Sequence, residues 1–255
     1  MHYQELIKLG RPLPPFGVAG FRAYSQNEED GILLLLFAAL GVTNRVCADI
    51  GFCVADGANT TNLICNWGWE GFLVEGDPVR AQATRTFFAT NRDAANWPPR
   101  LVERWVTAEN VNEIFDREGV AGEIDLLSLD LDGNDYWVWK ALEAVRPRVV
   151  LVEAQIAWGG ERSVTIPYRA DFSVAAAPHP AYSGASAAAL VALGRAKGYR
   201  LVGSIRHGYN LFFVRDELAD PWFATVAARD CLRHPRAIQA QKARSELELL
   251  EWLEV

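Results

Sequence analysis

The chain has 255 residues, half of them hydrophobic, and a formal net charge of −7. That length fits one large α/β domain, and a chain this apolar can bury a sizeable core rather than remain disordered. The acidic balance, with no local Lys/Arg cluster, excludes a basic footprint for nucleic acid or an anionic membrane surface.

Residues 1–44 read as an N-terminal helical segment. Met1-His2-Tyr3-Gln4 lacks the charged-then-apolar layout of a signal peptide, and the longest apolar run, residues 32–41, is too short to span a bilayer. Cys47, Cys53, Cys65 and Cys231 form no CxxC pair, and three of them lie in apolar stretches where a buried, reduced thiol is the better reading. A cytoplasmic setting is therefore expected.

Residues 46–50 predict a first strand, followed by a loop through Gly57 and a helix from about Thr60. A second strand is expected over 71–75 and a helix from Pro78 towards Asn91, since proline suits a helix's first turn. Residues 101–107 predict a third strand, 109–118 a helix ended by Gly119, 124–130 a fourth strand, 134–144 a helix and 149–154 a fifth strand. This alternation argues for a parallel sheet with helices on both faces. Residues 155–184 are irregular and proline-rich, too long for an ordinary connection. They carry Trp158, Tyr168, Tyr182, Arg162 and Arg169, a mix suited to a mobile lid over a small-molecule substrate, with Trp158 expected to wall the pocket. A helix follows over 185–197. Strands over 199–205 and 210–214 are joined too tightly for a crossover and must form an antiparallel hairpin. From Pro235 a charged helix carries Leu247, Leu250 and Leu253, for packing on the body or on a second subunit of a homodimer. One domain results: a core over 45–215 with the insertion 155–184, and a helical extension over 216–255.

Gly51, directly after the first strand, lets the backbone approach a nucleotide-like ligand closely. Glu75 closes the second strand about 20 residues on, where a ribose-binding carboxylate belongs, with Asp77 just beyond. Asp130 and Glu153 end neighbouring central strands and could face each other across the crevice, either to bind cofactor and substrate or to hold a divalent metal such as magnesium or manganese. Asp130-Leu131-Asp132-Gly133-Asn134 is no calcium loop, because its glycine falls two places early. Asp132 or Asn134 is expected to cap the next helix. His207 in the hairpin turn is a candidate general base, and His179 a weaker one.

Several motifs resemble FkbM-type methyltransferases: Ser25-Gln26-Asn27-Glu28-Glu29-Asp30-Gly31, residues 68–78, residues 124–137, Gly184-Ala185-Ser186, residues 197–203 and residues 208–214. The resemblance spans residues 24 to about 218. It implies a Rossmann-like class I methyltransferase sheet, mostly parallel, with seven strands and an antiparallel terminal hairpin. It also implies S-adenosylmethionine as methyl donor and a hydroxyl of a small molecule, sugar or natural-product intermediate as acceptor. Matched residue by residue, Asp49, Gly51, Asp56 and Gly57 fall in the donor loop, Glu75 at the ribose, Asp130 at the acidic end of the fourth strand, and Gln26 closes the donor pocket. The donor loop is about two residues longer than the family's pattern and must bulge, and Gln155 stands where relatives tend to carry asparagine. A nicotinamide-dependent oxidoreductase would use Glu75 in the same way, but the terminal hairpin and the lack of a full GxGxxG speak against it. A donor-binding but inactive partner subunit is the third alternative.

Overall fold

A computed structural model describes residues 2–52, 54–218 and 221–255, with the His2 side chain not included. Cys53 lies outside these residues; Cys47, Cys65 and Cys231 are free and buried. In chain order the elements are α1 (His2–Lys8), α2 (Phe16–Ala19), α3 (Glu29–Leu40), β1 (Val46–Ile50), α4 (Thr61–Trp67), β2 (Glu70–Glu75), α5 (Pro78–Thr90) and β3 (Arg100–Glu103). Next come α6 (Val111–Arg117), β4 (Gly122–Leu129), α7 (Asp135–Ala141), β5 (Val145–Glu153), β6 (Val164–Thr165), α8 (Ala187–Ala196), β7 (Tyr199–Ser204) and β8 (Asn210–Arg215). The C-terminal part holds α9 (Pro235–Ala240), α10 (Arg244–Leu247) and β9 (Leu253–Glu254).

Seven strands form one sheet in the order β3-β2-β1-β4-β5-β8-β7. Pairing from β3 through β5 is parallel, whereas β8 runs antiparallel to both β5 and β7. The hairpin expected from the short 206–209 link is present, and β8 inserts between β5 and β7. Side chains alternate between two cores, as strand geometry requires. Leu127 and Phe213 face a layer containing Phe115, Trp139 and Leu190, while Leu126 and Phe212 face Leu33, Leu36 and Leu63. Helices therefore cover both faces: α6, α7 and α8 on one, α3, α4 and α5 on the other. Among the described residues no helix is long and apolar enough to cross a membrane.

Three expectations are corrected. β3 stops at Glu103 instead of running to 107, because the exposed Trp105 turns out of the sheet to lie on Gly76; a Cβ there would meet its ring at 2.8 Å. The charged helix from Pro235 breaks into α9, a 3-10 turn at Gln241–Ala243 and α10, after which the chain extends as β9 and pairs with β6. Leu247 is thereby buried while Leu253 stays exposed. Trp158 does not wall the crevice. It lies 1% exposed in a satellite cluster with Val164 and Leu247, edge-on to Trp252 at 4.9 Å and under the Arg162 guanidinium at 4.6 Å.

Candidate active site

The carboxyl ends of β1, β2 and β4 open into a cavity of about 240 Å³ whose walls include Gly51, Glu75, Asp77, Arg80, Trp105 and Asp130. Gly51 sets its floor. Its φ is +82°, a left-handed conformation that favours glycine, and a Cβ there would stand 2.2 Å from the Asp130 carbonyl oxygen. Its N–H donates to the Val74 carbonyl at 3.0 Å, locking the turn to β2.

Glu75 is buried at the end of β2. One carboxylate oxygen accepts from the Asp77 N–H at 2.7 Å; the other, Oε2, is buried with no hydrogen-bond partner. Burial raises its pKa, partly offset by the Asp77 N–H and the Arg80 charge. A buried acceptor left unmade is costly, so an oxygen of this kind on a cavity wall marks a place where a ligand can donate. Asp77 lines the same cavity while capping α5, its Oδ1 accepting from Val79 N at 2.7 Å and Arg80 N at 3.1 Å.

The other donor-loop residues stand elsewhere. Asp49 is not on the cavity wall: its Oδ2 accepts from the Thr60 hydroxyl at 2.9 Å and the Thr60 N–H at 3.3 Å, bracing the start of α4. Asp56 is exposed, and Gly57 forms a parallel bridge with Ser25, so neither reaches the cavity. The two extra loop residues carry this stretch towards the N-terminal segment. There Asp30 accepts from three successive backbone N–H groups, Ala23 to Ser25, and fixes the approach of Gln26.

Buried Asp49 gives a pH prediction. Desolvation raises its pKa from 3.8 to about 6. The folded state thus holds that proton more tightly than the unfolded chain. The resulting stability is fully present below about pH 3.8 and is lost as pH rises through 6. Asparagine cannot ionise, so Asp49→Asn should gain stability relative to the parent between pH 4 and 7, by up to about 3 kcal/mol. Thermal melts across that range check this; a difference independent of pH would contradict it.

At the ends of β4 and β5 three carboxylates converge. One oxygen each of Asp130, Asp132 and Glu153 lies within 4.8 Å of the other two. Asp130 and Glu153 share a hydrogen bond, and both are pushed well up, first by burial and then by the neighbouring carboxylates. Burial together disfavours a full charge on both carboxyls at once. The turn that delivers Asp132 is built by Asp135, which accepts from Leu131 N at 2.8 Å and Gly133 N at 3.0 Å and leaves Asp132 at φ +52°. The expected cap is absent: Asn134 precedes α7 without a side-chain cap and instead donates to the Arg169 carbonyl at 2.8 Å. Asp132, expected only as a possible cap, is thus the third carboxylate of the cluster; the Asp-x-Asp spacing is the signal that could have found it.

A second cavity of about 410 Å³ opens on the far side of this pair, with Gln26, Glu153, Gln155, Ser183, Tyr209 and Arg236 on its walls. Asp130 lines the first cavity and Glu153 the second, so the bonded pair stands between them. Gln155 is committed to local backbone, accepting from Ala157 N and donating to the Ala181 carbonyl. His207 lines neither cavity. Its ring stacks 6.0 Å from Tyr209 and lies 4.8 Å from His234, where burial and then the His234, Arg236 and Arg206 charges lower its pKa. His179 accepts from Ala181 N in the insertion and also lines neither cavity.

The insertion roofs the first cavity. Phe172 to Ala175 lie on its wall, and the Phe172 ring covers Gly133 so closely that a Cβ there would meet it at 2.4 Å. The strap is tied down by indole N–H groups, Trp105 to the Ala170 carbonyl at 2.7 Å and Trp137 to the Ile166 carbonyl at 2.9 Å. Tyr168 adds hydrogen bonds to Glu109 and to the Ala108 N–H. Tyr182 and Arg162, expected to face substrate, hold the C-terminal segment through Glu251 and Glu254.

No known family's sequence model matches the chain, and no curated protein matches it in sequence. Among solved structures it is similar to an O-methyltransferase from Bacillus cereus in complex with SAH, at 20% identity over 60% of this chain and 66% of that one, TM-score 0.36. It is also similar to magnesium protoporphyrin IX methyltransferase from Synechocystis PCC 6803 with bound SAM, at 13% identity over 73% and 77% of the two chains, TM-score 0.44. The N-terminal domain of EvdMO1, determined in the presence of SAH and D-fucose, matches at 15% identity over 84% and 94%, TM-score 0.43. These likenesses are remote.

Proposed function

We propose that this chain is an S-adenosylmethionine-dependent methyltransferase that methylates a hydroxyl of a small molecule, such as a sugar or a natural-product intermediate. The observation that carries it is the pairing of two cavities across one carboxylate pair, the first of them floored by Gly51 and walled by the unpartnered Glu75 Oε2. Glu75 accepts the ribose hydroxyls of the donor. Electrostatics separates this donor from a nicotinamide dinucleotide. Glu75, Asp77, Asp130 and Asp132 face the cavity against Arg80 alone, a field that favours a sulfonium cation and repels a diphosphate. The FkbM-type motifs support the same reading. The first cavity is smaller than the roughly 300–1,000 Å³ of ordinary ligand sites, so the 166–176 strap acts as a lid that must lift to admit the donor.

Asp130 and Glu153 orient the acceptor hydroxyl beside the donor and receive its proton. With Asp132 they also form a donor set suited to a hard divalent cation, which when bound would lower the acceptor's pKa. Methyl transfer from labelled donor, assayed with magnesium or manganese and with excess chelator, tests both parts. Manganese titration followed by electron paramagnetic resonance should reveal one site that Asp130→Asn abolishes. Full transfer in chelator, with no manganese bound, would leave the carboxylate pair to act alone. Absence of transfer from S-adenosylmethionine to any hydroxyl compound, with the donor bound, would contradict the proposed activity.

A further inference from the structure

The second cavity holds a charge that methyl transfer to a neutral hydroxyl does not require. Arg236 lies on its wall with Glu153. Among the described residues its guanidinium makes no ion pair and no hydrogen bond, and it lies over the Tyr209 ring, 5.8 Å from the centroid. Three arginines near it in the chain are paired: Arg206 with Glu28, Arg233 with Asp230, Arg244 with Glu248. Arg236 is also held in place. Pro235 opens α9, His234 Nδ1 accepts from the Arg236 N–H at 3.1 Å, and Ala237, the next residue, is fully buried in the main core. Tyr209, the platform beneath it, is anchored in turn through its carbonyl, which accepts from Ala154 N at 2.6 Å.

We infer that the acceptor is an anion: a small hydroxylated molecule bearing a carboxylate or phosphate that Arg236 grips while its hydroxyl meets the Asp130–Glu153 pair. This rests on the methyltransferase reading and names its substrate class. A guanidinium presents a planar fork that matches either oxyanion with two parallel hydrogen bonds, and stacking on an aromatic face leaves that fork free. A cavity of about 410 Å³ suits a small molecule rather than a polymer. With Glu153 and Arg236 both on its wall, the cavity gives an anionic hydroxy compound two distinct anchors and so a preferred direction, which presents one particular hydroxyl. The C-terminal extension, outside the sheet, thereby supplies specificity to the core.

The test uses the full chain loaded with S-adenosylhomocysteine and saturation-transfer NMR with three probes: glucuronate, glucose 6-phosphate and glucose. At least one acid should bind tenfold or more tightly than glucose, and which acid does so separates a carboxylate from a phosphate acceptor. Arg236→Gln should erase that preference with S-adenosylhomocysteine affinity and melting temperature unchanged. Arg236→Lys should retain part of it, and Arg92→Gln, an exposed arginine away from the cavity, all of it. Glucose binding as well as both acids, or an acid preference that survives Arg236→Gln, would overturn the inference. Failure of S-adenosylhomocysteine to bind the unaltered chain would instead defeat the methyltransferase reading itself.

Discussion

Arg148→Met should lower the melting temperature by roughly 6–20 °C, the result of losing about 3–5 kcal/mol in a chain of this size. Arg148 is 7% exposed on β5 and pairs with the fully buried Asp125 of β4 at 2.8 Å. Its guanidinium also donates to the Gly41 carbonyl at 2.8 Å and the Leu40 carbonyl at 2.9 Å, closing the end of α3. Asp125 accepts in turn from the backbone N–H groups of Thr43, Asn44 and Arg45, the turn that feeds β1. Methionine matches the stem but abandons a buried carboxylate, and an uncompensated buried charge costs more than the pair contributed. Differential scanning calorimetry checks it. A fall of less than 2 °C would mean that water reaches Asp125.

Gly51→Ala should abolish donor binding, by a hundredfold or more, and cost about 2–4 kcal/mol of stability. Two separate penalties meet there: the φ of +82° and the 2.2 Å approach of the new Cβ to the Asp130 carbonyl. Gly10 has a φ of +63° but nothing within 4 Å of a Cβ, so Gly10→Ala isolates the conformational cost, about 1 kcal/mol. Calorimetric titration with S-adenosylhomocysteine, alongside melts of both variants, separates clash from strain. Near-normal binding by Gly51→Ala would mean that the donor does not sit on this turn.

The sheet is legible in the sequence because its signals are local. Apolar runs such as 46–50 and 71–75 have the length and flanks of buried strands, and the short link after β7 leaves no choice but a hairpin. Glu75 is legible for the same reason, its distance from Gly51 being set by one βαβ unit. What escapes depends on contacts between distant segments. Nothing local says that Trp158 will pack against Trp252, or that 253–254 will pair with 164–165. Asp132 reaches the acid cluster only because Asp135 folds the intervening turn, and Arg236 reaches the second cavity only because α9 docks through Ala237. The donor-loop bulge is foreseeable from its length, but its direction, towards Ser25 and away from the cavity, is not.

Everything proposed for this chain depends on the cavity walled by Glu75 receiving S-adenosylmethionine. Isothermal calorimetry with S-adenosylhomocysteine and, separately, NAD decides it, on the unaltered chain and on Glu75→Ala. S-adenosylhomocysteine should bind, NAD should show no measurable binding, and the variant should lose about 1–3 kcal/mol, roughly five- to 150-fold. Tighter binding of NAD, or S-adenosylhomocysteine affinity unchanged by Glu75→Ala, would contradict the donor assignment.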